Sequence, residues 1–161
     1  MSGMRDIVSQ HWFEHIPDRP RQLLILALDL HEREQVQTSE LYDYSYVVFP
    51  AAKAYEGFLK YYFFSQGLIT KKTYEGKRFR IGRALNPDLH PNGQDEYWLF
   101  DDISKRCGAE VARELWDTWL TCRNQVFHFF PNKENPLSLD QARLKLEQVL
   151  STLRVLILCS A

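Results

Sequence analysis

Between Gly108 and Pro131 the chain reads Gly-Ala-Glu-Val-Ala-Arg-Glu-Leu-Trp-Asp-Thr-Trp-Leu-Thr-Cys-Arg-Asn-Gln-Val-Phe-His-Phe-Phe-Pro. A glycine precedes this stretch, a proline ends it, and good helix formers fill its first half. Apolar residues recur at Val111, Leu115, Trp119, Cys122 and Val126, the three-to-four spacing of one buried helical stripe. That spacing predicts a core helix. Near its C-terminal end the helix also holds Arg123, Asn124 and His128. A permanent cation is rarely buried without a partner, because its desolvation costs several kcal/mol. An arginine, an amide and an imidazole beside two tryptophans therefore need a reason to be there.

Outward from this helix the pattern stays helical. Residues 1–19 carry Ile7, Val8, Trp12, Phe13 and Ile16, which predicts a short amphipathic helix ending at Pro17. Leu23, Leu24, Leu26, Ala27, Leu28 and Leu30 predict an apolar helix from Pro20 to about Gln37, serving as core or dimer interface. Thr38 and Ser39 are cap candidates for a third helix that ends at Gly67, with Pro50 expected to bend or break it. Ala51, Ala54, Tyr55, Phe58, Leu59, Tyr62 and Phe63 give that helix a wide apolar face. Ile81 to Leu85 and Tyr97 to Arg106 predict short helices, and Asn86 to Gln94 an irregular loop. Ser138 and Gln141 form a capping-box pattern ahead of Leu139, Ala142, Leu146, Val149, Leu153, Leu156 and Ile157. With no strand run, repeat or low-complexity tract, residues 1–161 are expected to form a single all-α domain. It would be a bundle of about four to five main helices with short accessory ones.

Composition narrows the function classes. The chain has 161 residues, 45% hydrophobic and 25% charged, which is the balance of a globular domain. Its net charge of -1 gives no overall attraction for nucleic acid, so such a partner requires a local basic patch. Lys71, Lys72, Lys77, Arg78, Arg80 and Arg83 supply one, against the single acid Glu75 and with Tyr74 and Phe79 interleaved. A solvated charged loop is the plainer reading of that run. Cys107, Cys122 and Cys159 lack metal or redox spacing and read as buried free thiols in a reducing compartment. With no apolar leader and no run of about 18 apolar residues, a cytoplasmic location with no membrane partner is expected. His11 and His15 stand four apart but lack a convincing third ligand, so no metal or other cofactor is expected.

Arg123, Asn124 and His128 suit RNA cleavage without a metal. That reaction removes a proton from the 2′-hydroxyl, stabilises a pentavalent phosphorane and protonates the leaving 5′-oxygen. Histidine titrates near neutral pH and serves either proton transfer. Arginine stays charged and offers phosphate a planar fork of donors. Asn124 and His128 share a helical face, whereas Arg123 and His128 stand roughly 140° apart on an ideal helix. Convergence therefore requires a distortion near the helix end, or two copies meeting across a two-fold axis. Glu56, with Lys53 and Lys60 as helical neighbours, is either a member of this site or part of an exposed ion-pair network. The plain alternative for the motif is an arginine paired with an acid and a histidine capping the helix carbonyls.

Arg123-Asn124-Gln125-Val126-Phe127-His128 resembles the signature of the HEPN superfamily. That signature is an arginine, a polar residue, then a histidine four to six residues after the arginine, on a late helix of an all-α bundle. Within that superfamily, Ala52-Lys53-Ala54-Tyr55-Glu56-Gly57-Phe58-Leu59-Lys60 and the Arg-Asn-x-x-x-His-Phe-x-Pro pattern are most similar to the catalytic domain of the RNase LS toxins. The resemblance spans residues from about 40 to 160, and those toxins carry additional N-terminal domains. It implies a metal-independent endoribonuclease of toxin or anti-phage type, dimeric through the motif face and restrained by an antitoxin protein. It assigns Glu56, Arg123 and His128 to the catalytic set, with Asn124 in support. In relatives silenced by nucleotidyl transfer a tyrosine stands two residues after the motif histidine; Phe130 occupies that position here, so such control is not expected. The alternatives are a non-catalytic HEPN module that binds RNA or a protein partner, and a helical dimerisation domain.

Overall fold

The computed structural model describes residues 3–160. Two 3₁₀ turns, Met4–Ser9 and His11–His15, lead into α1 (Asp18–Gln35) and α2 (Ser45–Ser65). Three short helices follow, α3 (Lys71–Glu75), α4 (Ile81–Leu85) and α5 (Phe100–Cys107). Helix α6 (Ala109–Trp119) passes through a π-helical turn (Leu120–Asn124) into α7 (Gln125–Phe127), and α8 (Leu139–Cys159) completes the bundle. The fold is all-α, as expected; among the described residues the only β pairing is an isolated bridge between Phe130 and Lys133.

Helix α2 is buried on most of its circumference because its apolar face is wide. Ala51, Ala54, Tyr55, Phe58, Leu59, Tyr62 and Phe63 are all buried. Helices α1, α6 and α8 close around it with Leu24, Ala27 and Leu28, with Ala112 and Leu115, and with Leu146, Val149 and Leu153. Burying each large apolar side chain contributes about 1.5–3 kcal/mol, against about 0–1 kcal/mol for an exposed ion pair, so this core outweighs the surface charges. The Tyr55 hydroxyl donates to the Leu115 carbonyl at 2.7 Å and fixes the register of α2 against α6. Burial pushes that phenol well above its usual range, so it remains a neutral donor.

Helix ends follow local chemistry. Ser138 and Gln141 form the expected capping box at the start of α8. Gly67, at φ +72°, closes α2: its N–H donates to Phe64 at 3.0 Å and that of Leu68 to Phe63 at 2.8 Å. The start of α2 differs from expectation. Thr38 and Ser39 lie in bends, and Asp43 organises the start at Ser45 instead. Its Oδ1 accepts from the Ser45 N–H (2.9 Å), the Ser45 hydroxyl (2.6 Å) and the Leu137 N–H (3.0 Å). Pro50 lies inside α2 without ending it, and its missing N–H leaves the Tyr46 carbonyl without its helical partner. The N-terminal segment forms two 3₁₀ turns rather than one helix, yet Trp12, Phe13 and Ile16 are buried as their pattern required.

The cysteine reading is corrected. Cys107 and Cys159 form a disulfide joining the ends of α5 and α8, and only Cys122 is a free, buried thiol. Their separation of 52 residues hid the pairing, which tertiary contact alone creates. A reducing compartment inferred from three free thiols loses that support. No helix among the described residues is long and apolar enough to cross a membrane.

Reduction, or Cys107→Ser, is expected to lower stability by roughly 2–4 kcal/mol by freeing the unfolded chain, read as a fall in denaturant midpoint. Asp43 yields a pH prediction. Burial alone raises its carboxyl, but the hydrogen bonds from Leu137 and Ser45 outweigh that and hold it below the usual carboxylate range. Its contribution is thus fully present above the ordinary carboxylate pKa and lost as pH falls through the folded value. Asp43→Ala should cost about 1 kcal/mol near neutral pH and flatten the acid limb of a stability–pH curve.

Candidate active site

A cleft of about 610 Å³ opens between α2, α4 and the end of the α6 helix, and Glu56, Arg123, Asn124 and His128 all line it. Two local features bring these residues together. The first is the π-helical turn, in which the Gln125 N–H donates to the Leu120 carbonyl five residues back. Such a turn underwinds the helix and reduces the angle between residues five apart. The second is the helix end itself: His128 has φ -91° and ψ 137°, so its backbone leaves the helical path. Asn135 holds this exit, its amide donating to the carbonyls of Gln125 at 2.8 Å and His128 at 3.1 Å.

A buried polar chain registers α8 against the distorted segment. Gln148 donates to Thr118 at 3.2 Å and to Thr121 at 3.1 Å. Thr118 pairs with Thr152 at 2.8 Å, and Thr152 donates to Glu114 at 3.1 Å. Thr121 in turn donates to the Asp117 carbonyl at 2.8 Å, an i−4 back-bond of the kind that bends helices.

Glu56 pairs with Arg123, its Oε1 lying 3.3 Å from Nε, rather than with Lys53 or Lys60. Both side chains remain about one-third exposed, at 32% and 37%, so solvent limits the pair to about 0–1 kcal/mol. The guanidinium carbon stands 6.0 Å from the Trp119 ring centroid, within cation–π range. Trp119 stacks on Trp116 with centroids 5.4 Å apart, and its buried indole nitrogen has no hydrogen-bond partner. Among the described residues, neither terminal nitrogen of Arg123 is hydrogen-bonded, and the side chains of Asn124 and His128 make no hydrogen bond. The cleft thus presents a braced guanidinium with free donors and an exposed imidazole, an arrangement able to grip a phosphate and move a proton.

The six basic residues of the 71–83 segment divide. Arg80 and Arg83 line this cleft and also an adjoining hollow of about 760 Å³. Lys72, Lys77 and Arg78 line only the second, making one continuous basic track. Lys71 lines neither and faces Glu75 at 3.8 Å. Arg83 is committed to a fork on Asp95 at 3.1 and 2.9 Å and to the Gly93 carbonyl at 2.7 Å. That bonding raises the arginine's pKa and lowers the carboxylate's.

Trp119 as a shelf, Asn135 as a clamp and Gly82 were missing from the sequence-derived site. Gly82 carried a signal, a glycine inside a short helical pattern, which often marks close approach of a neighbour. A Cβ there would overlap the Trp119 ring. Asn135 sits in a polar loop and gave none.

No family model matches the chain, and neither does any curated protein or solved structure compared with it.

Gly82→Ala should push Trp119 away from Arg123, costing about 1–3 kcal/mol by overpacking. A lower thermal midpoint with a shifted tryptophan emission would register this.

Proposed function

We propose that the chain is a metal-independent endoribonuclease of the HEPN type, acting as a toxin or anti-phage enzyme. The observation that carries this reading is the convergence of Glu56, Arg123, Asn124 and His128 on one cleft beside a basic track. The terminal nitrogens of Arg123 bind the non-bridging oxygens of the scissile phosphate and stabilise the phosphorane. Glu56 pairs with the Nε edge of the guanidinium and leaves its two terminal nitrogens free for the phosphate. The 2′-oxygen attacks phosphorus as its proton passes to a base, the P–O5′ bond breaks, and the 5′-oxygen leaves with a proton. The Glu56 carboxylate takes the 2′-hydroxyl proton or orients His128, and in the first case His128, as the imidazolium, protonates the leaving 5′-oxygen. Products are a 2′,3′-cyclic phosphate and a 5′-hydroxyl. Lys72, Lys77, Arg78 and Arg80 hold the strand on its way into the cleft.

A second reading is a non-catalytic module that binds RNA or a protein partner, with the apolar rim of the motif as its contact surface. Phe129 is 88% exposed and Phe49 55%, with Phe49 edge-on to Phe127 at 5.6 Å. Such a rim suits a second copy or an antitoxin protein.

His128→Ala and Arg123→Ala are each expected to cut RNA cleavage by at least about 100-fold while the circular dichroism stays native. Chelator should leave the wild-type rate unchanged. Retained activity in clean His128→Ala protein sinks the catalytic assignment, and labelled RNA that is shifted but never cut selects the binding module.

A further inference from the structure

On another face of α2, the 3₁₀ turn His11–His15 and the end of α8 enclose a separate hollow of about 620 Å³. Trp12, Phe58, Tyr61 and Leu158 form its walls. Tyr61 is 40% exposed and Leu158 54%, so these two walls are open to solvent, with Trp12 and Phe58 buried behind them.

Among the described residues, the polar groups around those walls share one property: none is acidic. Arg154 stands at the rim with no ion pair or hydrogen bond among the described residues. Its helical neighbours at three and four residues are Leu150, Ser151, Ile157 and Leu158, which offer no counter-charge. His11 and His15 also line the hollow, their rings 5.0 Å apart. Gln66 accepts a 3.0 Å hydrogen bond from Arg106 on its carbonyl oxygen, which orients the amide, and its NH₂ group makes no hydrogen bond among the described residues. In a chain whose 21 acids and 20 lysines and arginines nearly balance, a hollow whose only charged side chain among the described lining residues is an arginine is locally cationic.

We propose that this hollow binds a small aromatic anion. The ring lies against Tyr61 and Leu158, above the edges of Trp12 and Phe58, and the anionic group meets the fork of Arg154 with Gln66 and the imidazoles as further donors. Apolar walls with a few convergent polar groups are what fix a small ligand in place, and the volume lies within the ordinary range of about 300–1,000 Å³ for such sites. Arginine grips carboxylate, phosphate or sulfonate through two parallel hydrogen bonds, so one site serves each of these anions. The assignment uses no residue of the Arg123 cleft and stands whether or not the chain cleaves RNA.

Calorimetric titration of the full chain with naphthalene-1-sulfonate tests it. Saturable one-to-one binding is expected, at least about tenfold tighter than naphthalene-1-methanol, which lacks the charge, and than inorganic sulfate, which lacks the ring. Comparing 1-naphthoate with 5′-AMP then separates an aryl carboxylate from a nucleotide as the natural class. Arg154→Ala and Tyr61→Ala each alter an exposed side chain and should each weaken the sulfonate by at least about tenfold. Arg154→Gln, which keeps the polar stem, should show the same loss, while Arg123→Ala binds like wild type. Absence of saturable binding overturns the proposal. So does full affinity in the Arg154 variants, or loss of binding in Arg123→Ala, which would place the probe in the other cleft.

Discussion

The π-helical turn at Leu120–Asn124 is the constraint on which the candidate site depends. A regular helix would turn Arg123 and His128 roughly 140° apart and leave the guanidinium and the imidazole on different surfaces. Underwinding there, followed by the extended backbone of His128, sets both along one cleft. A π turn costs helical hydrogen-bond quality, so it persists only where its surroundings determine it. Here they do so from two sides. The Gln148–Thr118–Thr121 bonds tie the segment to α8, and Asn135 grips the carbonyls where the helix ends.

The same economy governs α2. Its inner face is the core of the bundle, and its register against α6 is set by the bond from Tyr55 to Leu115. Glu56 is the next residue, so a buried contact that serves stability also determines where the carboxylate stands. The basic track is likewise a by-product of packing: Phe79 and Ile81 are buried and anchor the segment, and the intervening Arg80 is thereby turned outward at the junction of the two hollows.

Features encoded over a few residues were legible in the sequence. The apolar stripes of α1, α2 and α8, the Ser138 capping box and the glycine that ends α2 each depend on neighbours within about one helical turn. Features encoded across the fold were not. The Asp43 bond to Leu137 spans 94 positions, and the Cys107–Cys159 bridge spans 52. For the candidate site, residue types identified the participants, and their spacing called for a distortion near the helix end or for a second copy. What imposes the distortion was not legible, because Thr121 and Gln148 are ordinary polar helix residues until α8 brings them together.

The Glu56–Arg123 pair illustrates why energy and geometry must be weighed separately. At about one-third exposure the pair adds at most about 1 kcal/mol, so the bundle does not need it to fold. What the pair does is place the charge. A guanidinium drawn to a carboxylate along its Nε edge, with a tryptophan ring 6.0 Å away, stands at the cleft with its two terminal nitrogens available. An arginine kept for stability alone would be bonded through the whole fork, as Arg83 is to Asp95 and Gly93. Two arginines at the edge of one cleft thus carry different burdens, one consumed by structure and the other braced yet unsatisfied, and a phosphate has the geometry to satisfy it.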